Sequence, residues 1–302
     1  MKDSILKTHM NIPSFPDSAP ISLEMRSELH PSLVVIPDGI SEFTFANLYL
    51  FREQYDYHLS WLPHQVILIS GKQHGKSFAM LPCGFPEDNG LTEEILRRHD
   101  SVKGLAESHA DAERIRLERF GYMVFEDRDN FDYLYLKKDL AALQGKKYHK
   151  KRNLVNAFIN NYNYEECPLN EENIDATFEI LEEWRREKGE EGDYKAAREA
   201  LERMNELELT GYLICVDGKP AAYTLGEPLA KGRSFAVHFE KAIGNYKGIY
   251  QFINRAFASV LPRHYHYINR EQDLGDEGLR QAKMTYRPCG FVKKYKVVPK
   301  ED

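Results

Sequence analysis

The chain of 302 residues contains no run of 18 consecutive apolar residues, which leaves it without a candidate transmembrane helix. Residues 1–18 are polar and proline-bearing. They lack the apolar core of a signal peptide, and a cytoplasmic protein is the expectation. Cysteine is scarce: Cys83, Cys167, Cys215 and Cys289 are the four present, and no two form a Cys-x-x-Cys pair. No disulfide framework is needed, and none of the four stands in a recognisable nucleophile setting. The histidines form no metal pattern. His264-x-His266 puts two rings on one strand face, but no third ligand stands nearby, so no metal is expected. Residues 71–77, Gly-Lys-Gln-His-Gly-Lys-Ser, lack the first glycine and the spacing of a phosphate loop, and read as a hairpin turn.

What is present suits a globular protein. Apolar residues make up 42% and charged residues 29%, an ordinary balance for a chain that buries a core. The length suits one large domain or two of usual size. The net charge of -6 conceals separated signs: residues 165–208 carry 16 acids against 6 bases, whereas residues 137–152 carry 7 Lys or Arg against one Asp. Local sign steers a ligand more than total charge does, so an anionic partner is compatible with an acidic whole.

Periodicity and turn residues outline a mixed α+β chain. In the first half, residues 43–57 and 110–120 read as helices, the second ended by Gly121. Residues 65–70 and 76–82 read as strands around a glycine turn, and 123–126 with 132–136 as an antiparallel pair. In the second half, 146–160 reads as a basic helix, and a helix running to Lys188 stops at Gly189. Strands follow at 209–216, 220–228 and 233–240, the first two joined by Asp217-Gly218, the strongest hairpin signal in the chain. A glycine-opened helix spans 247–260, a short strand 264–269 and a closing strand 291–298. A tight hairpin, a central strand and then a glycine-opened helix is the order of N-acetyltransferase-like folds. There the helix N-terminus faces an anionic acyl donor.

Three segments carry candidate chemistry. Residues 244–250 read Gly-Asn-Tyr-Lys-Gly-Ile-Tyr between a strand and a helix. Free N–H groups at such a helix start favour an anion, so Gly244, Asn245, Lys247, Gly248 and Tyr250 are candidate donor-binding positions. The loop is similar to the acyl-CoA loop of N-acetyltransferases, Gln/Arg-x-x-Gly-x-Gly/Ala. Asn245 and Tyr250 depart from that form, and bulky Tyr250 stands where a small residue admits a pyrophosphate. Residues 145–152 gather Lys146, Lys147, Lys150, Lys151 and Arg152 at a helix start, where positive charge opposes the dipole. Phosphates of a nucleic acid or of a charged headgroup would offset that cost. In residues 270–283, Glu271 and Asp273 stand at a strand end, as carboxylates that orient or deprotonate an acceptor. Arg280 and Lys283 share a helix face and suit anionic oxygens.

Three stretches also carry a family resemblance. They are Glu42-Phe-Thr-Phe-Ala-Asn-Leu-Tyr49, Gly145-Lys-Lys-Tyr-His-Lys-Lys-Arg-Asn153, and Glu271-Gln-Asp-Leu-Gly-Asp-Glu-Gly-Leu-Arg-Gln-Ala-Lys-Met-Thr-Tyr-Arg-Pro288. Over about residues 22–298 the chain resembles the DUF2156 family, whose fold is that of the C-terminal domain of phosphatidylglycerol lysyltransferases. The resemblance implies two tandem N-acetyltransferase-like (GNAT) domains, each a mixed, largely antiparallel sheet flanked by helices. The expected division is residues 1–141 and 142–302, with the donor site in the second. It further implies transfer of an acyl or aminoacyl group from acyl-CoA or aminoacyl-tRNA, with tRNA as a partner. The acceptor would be an amine or hydroxyl on a small molecule, peptide or lipid headgroup. The alternative is a non-catalytic anion- or RNA-binding protein on a transferase scaffold, which Asn245 and Tyr250 favour.

Overall fold

The computed structural model describes residues 12–189 and 192–300. Residues 1–11, most of the stretch read for a signal peptide, lie outside the described residues. Among the described residues no helix is long and apolar enough to cross a membrane.

The chain divides into two compact units, one of residues up to Arg128 joined by those from Lys293 onward, the other Asp129–Val292. The first unit holds strands β1 (Ala19–Pro20), β2 (His58–Leu62), β3 (Val66–Gln73), β4 (Lys76–Met80), β5 (Ser101–Ala106) and β6 (Tyr122–Glu126). Its helices are α1 (Arg26–Val34), α2 (Phe45–Leu50), α3 (Arg52–Tyr55), α4 (Asn89–Arg98) and α5 (Glu107–Arg119). The second unit holds β7 (Asp132–Leu136), β8 (Tyr164–Pro168), β9 (Thr210–Val216), β10 (Lys219–Leu229), β11 (Ser234–Ala242), β12 (Tyr267–Asn269) and β13 (Gly290–Val292). Its helices are α6 (Lys137–Ala142), α7 (His149–Asn161), α8 (Asp175–Lys188), α9 (Tyr194–Glu202), α10 (Ile249–Val260) and α11 (Glu277–Met284). The last strand, β14 (Lys294–Pro299), belongs to the first unit.

Each unit is built on one seven-stranded sheet, ordered β1-β2-β3-β4-β5-β14-β6 in the first and β13-β7-β12-β11-β10-β9-β8 in the second. Neighbours are antiparallel except β4 with β5 and β11 with β12. Both sheets are thus mixed, largely antiparallel and flanked by helices, as expected of tandem GNAT-like folds.

The antiparallel pair expected between 123–126 and 132–136 does not form. β6 pairs with β14, while β7 pairs with β12 and β13. The exchange places Tyr133 and Tyr135 in the second core and Tyr295 and Val297 in the first. For the same reason the single closing strand expected over 291–298 is two strands in different sheets. The units therefore follow the sheets and do not part at one cut between residues 141 and 142. The long helix expected over 43–57 is also divided: Thr44 starts α2 by accepting the Asn47 N–H, and α3 ends at Asp56, whose φ is 49°.

Local chemistry sets the second unit's central hairpin and its main helix. Asp217 (φ 50°) and Gly218 (φ 74°) join β9 to β10, the pair of positive angles that a two-residue primed turn needs. Helix α10 buries Ile249, Phe252, Ile253, Ala256 and Phe257, a stripe at helical spacing. Phe158 of α7 stacks on Phe252 with ring centroids 4.6 Å apart. Burying each large side chain of this kind stabilises by about 1.5–3 kcal/mol. That face fixes α10, and with it the loop that precedes it.

Candidate functional site

The site begins with an irregularity between β10 and β11. Leu225 faces Phe239, but the next residue, Gly226, faces Val237, so His238 is an extra residue on its strand. A bulge of this kind turns a side chain out of the regular alternation. Gly226 permits it, since a Cβ there would lie 1.9 Å from the Ala236 carbonyl oxygen. His238 is buried, and its ring nitrogens meet two carboxylates: Nε2 lies 3.0 Å from Glu227 Oε1 and Nδ1 lies 2.7 Å from Glu271 Oε1. Burial opposes a charge on the ring, but Glu271 and Glu227 outweigh it and push the imidazole up to about 10. As an imidazolium it donates from both nitrogens. The Glu227 side chain is 5% exposed and that of Glu271 17%, so Glu271 is the solvent-ward end of the chain Glu227–His238–Glu271.

Several groups hold Glu271 in place. Its backbone is left-handed, with φ 54°, an uncommon state for a non-glycine residue that its surroundings must fix. The Glu271 N–H donates to Asn269 Oδ1 at 2.8 Å, and Asn269 in turn donates to the buried Asp132 at 3.0 Å. The Lys283 ammonium donates to three successive carbonyls, those of Arg270 (2.6 Å), Glu271 (3.1 Å) and Gln272 (2.5 Å). Burial and the nearby Arg270 depress this ammonium to about 8, against the raising effect of Glu271. Asp273, fully buried, accepts from the Tyr133 hydroxyl (2.6 Å), the Gly275 N–H (2.9 Å) and two Arg280 nitrogens (3.0 and 2.8 Å). Burial alone would raise this carboxyl, but the bonds from Arg280, Tyr133 and Gly275 together hold it well below the usual carboxylate range. Arg280 also reaches Asp129 at 2.7 Å, and Asp276 caps α11 by accepting the Leu279 N–H. Asp273, Arg280 and Lys283 are thus engaged in shaping the loop that presents Glu271.

A second charged group lies beside the first. Arg270 donates to Glu240 at 2.8 Å and sits 5.3 Å from the centre of the Tyr286 ring. The Lys151 ammonium lies over the same ring at 3.9 Å. Burial and the Arg270 charge lower Lys151 to about 8. Lys151 is therefore set apart from the other members of the basic segment. Lys146 and Lys150 are exposed, Lys147 pairs with Asp139 at 2.7 Å, and Arg152 donates to the carbonyls of Leu143 (2.5 Å) and Gly145 (2.9 Å).

The loop before α10 is filled by the protein's own groups. The Gly244 N–H donates to both oxygens of the Glu187 carboxylate, at 3.1 and 3.0 Å. The Lys247 N–H donates to the Tyr162 hydroxyl at 3.1 Å. Gly248 has φ 90°, and a Cβ there would lie 2.1 Å from the Leu154 carbonyl oxygen of α7. The glycine allows two helices to approach. Tyr250 donates to the Ala242 carbonyl at 3.2 Å, and Asn245 is exposed.

Residue-type reasoning singled out Glu271 and the loop around it but passed over His238, Glu227, Glu240 and Glu187, which the structure brings to these segments. The available signal was a charged residue inside an otherwise apolar strand: Glu227 in Ala-Tyr-Thr-Leu-Gly-Glu, and His238 with Glu240 in Phe-Ala-Val-His-Phe-Glu. Such residues are rarely buried without partners.

These sheets, flanking helices and loops define a tandem GNAT-like α+β protein. The chain belongs to the family described as phosphatidylglycerol lysyltransferase, C-terminal, whose pattern matches residues 34–298. It is similar in structure to a conserved protein of unknown function from Bacteroides thetaiotaomicron, with 32% identity and a TM-score of 0.82 over 94% of this chain and 99% of that one. It also resembles the C-terminal domain (DUF2156) of an Agrobacterium fabrum protein named as a lysylphosphatidylglycerol synthetase. There the identity is 12% and the TM-score 0.62, with 92% of each chain covered. An uncharacterized Mycoplasmoides gallisepticum protein is 25% identical over 185 residues, and the match spans 58% of its length and 58% of this chain.

Proposed function

We propose that this protein transfers an aminoacyl group from an aminoacyl-tRNA ester to an amine or hydroxyl acceptor, with Glu271 as the base. The observation that carries the reading is Glu271 itself, a partly exposed carboxylate locked in a rare backbone state and backed by the buried His238–Glu227 pair. Loops that hold one side chain this firmly suit a group that must meet a reacting atom. In the step, Glu271 accepts a proton from the acceptor as its nitrogen or oxygen bonds to the donor carbonyl carbon. The ester C–O bond then breaks, and the proton passes to the departing ribose hydroxyl. His238 holds the carboxylate in position through its charge. Asp273 acts at one remove, by anchoring the loop.

Two features support an aminoacyl ester over acyl-CoA. The Gly244 N–H and the space at Gly248, where a pyrophosphate would be bound, are taken by Glu187 and by the Leu154 carbonyl. The Agrobacterium fabrum relative is named for lysylphosphatidylglycerol synthesis, a reaction of aminoacyl-ester chemistry in the family that the chain resembles. The test is to incubate the full chain with tRNA carrying labelled amino acids, and in parallel with labelled acyl-CoAs, over a screen of amine and hydroxyl acceptors. Label moving from tRNA, and lost in Glu271→Gln, is the expected result. Label moving from acyl-CoA instead would overturn the donor. No transfer from either would leave the non-catalytic binding protein, which the filled loop before α10 also favours.

A further inference from the structure

A cleft of about 550 Å³ opens in the second unit, lined by Lys137, Lys138, Arg233, Arg263 and His266 among apolar and small residues. The lining contains no carboxylate. It gathers the start of α6, the approach to β11 and the turn between α10 and β12. Glu271 lies past the other end of β12, so this cleft is separate from the site described above.

Its charge is unbalanced. Elsewhere in this unit the basic side chains near the site are committed: Lys147 to Asp139, Arg270 to Glu240, Arg280 to Asp273 and Asp129, Lys283 to three carbonyls. None of the five cleft residues has a side-chain hydrogen bond or ion pair among the described residues. Burial, and then the charge of Arg263, lower the Lys137 ammonium, as expected where cations face one another. The α10 C-terminus nearby supplies roughly half a negative charge, far less than two Lys and two Arg. Like charges held together around a concavity raise the local concentration of an anion, and the volume falls in the range of small-ligand sites, about 300–1,000 Å³.

The geometry points to a second anion site in this cleft, one that takes a small ligand carrying two or more phosphate groups. The planar forks of Arg233 and Arg263 suit phosphate oxygens in pairs, with Lys137 and Lys138 as point charges beside them.

Inorganic pyrophosphate is the probe, titrated calorimetrically into the full chain at low salt. Saturable binding is expected, weakened at least tenfold in the double variant Arg233→Ala/Arg263→Ala and again in Lys138→Glu. Arg233, Arg263 and Lys138 are exposed, so both variants should keep the unfolding temperature of the parent, which is measured alongside. Glu271→Gln should bind pyrophosphate as the parent does, which keeps this site distinct from the proposed transfer chemistry. No binding by the parent, or binding indifferent to both charge changes, overturns the proposal. A short single-stranded RNA bound more tightly than pyrophosphate, and lost in the same variants, would replace the small ligand with a phosphodiester strand and overturn the ligand class.

Discussion

The two ends of the parallel β11–β12 pair treat charge in opposite ways. Past the C-terminal end of β12, the buried acids and bases around Glu271 are paired: Glu227 and Glu271 share His238, Glu240 holds Arg270, Asp273 holds Arg280. At the N-terminal end, Arg233 and His266 precede the strands and join three other basic residues in a cleft without an acid. Burial accounts for the first pattern, because an unpaired charge out of water costs several kcal/mol. The cleft is open to water, so its charges need no partner to be tolerated. Paired charges thus report what the fold requires of itself, and unpaired ones in a concavity report what it can offer to a ligand. Glu271 is the instructive exception, because it is paired on one side and partly open on the other.

The comparison breaks first at Glu271 if it breaks at all. Glu271→Gln keeps the shape and a hydrogen-bonding oxygen beside His238 but removes the carboxylate proposed as the base. Initial rates of transfer from aminoacyl-tRNA should fall about 10²–10⁴-fold, the usual contribution of a positioned base. A rate within twofold of the parent would show that the solvent-ward end of the triad is only structural. The next effect is on stability. His238→Ala leaves Glu227 buried and facing Glu271 with no cation between them, and should cost about 3–5 kcal/mol in urea unfolding. A loss under about 1 kcal/mol would mean that the two carboxylates find other partners, and the contrast between the ends would lose its main support.

The same group gives a pH dependence with a definite sign. His238 is raised in the folded protein from 6.5 to about 10, so the folded state holds a proton that the unfolded state releases. Its stabilisation is complete below about 6.5 and is lost as pH rises towards about 10. Unfolding midpoints measured at pH 7 and pH 10 should therefore differ more in the parent than in His238→Ala. Equal differences would place the charge elsewhere.

Much of the fold was legible from residue patterns, and the reasons are local. The Asp217-Gly218 turn, the stop at Gly189 and the apolar stripe of α10 each depend on neighbours within a few positions. The partners of β7 and β14 do not: two strands only five residues apart in sequence, β6 and β7, enter different sheets, and nothing within either strand says so. The site divides in the same way. The 271–288 stretch showed its density of charge and glycine, and the structure gives Glu271 there a left-handed backbone and a contact to His238. His238 stayed hidden because its role arises from a bulge, a mismatch between two strands. Arg233 and Arg263 stand thirty residues apart and form no run, whereas the visible run at 146–152 turned out partly committed to Asp139 and to carbonyls.

The smaller predictions sharpen the comparison. Gly248→Ala places a methyl against the Leu154 carbonyl at a backbone angle of 90°, and should cost at least about 1–3 kcal/mol. Under the aminoacyl-ester proposal, transfer activity should survive in whatever fraction stays folded, since Gly248 serves the approach of α10 to α7. The smallest effect belongs to the cleft. Arg233→Ala/Arg263→Ala removes two exposed cations that the fold does not pair, so urea unfolding should move by no more than about 0.5 kcal/mol. Removing cations that repel Lys137 should, if anything, move it upward. A clear destabilisation would mean that these side chains serve the fold after all, through contacts their exposure conceals. The two ends of β11–β12 would then differ in degree of burial alone, and the cleft would lose its claim to a ligand.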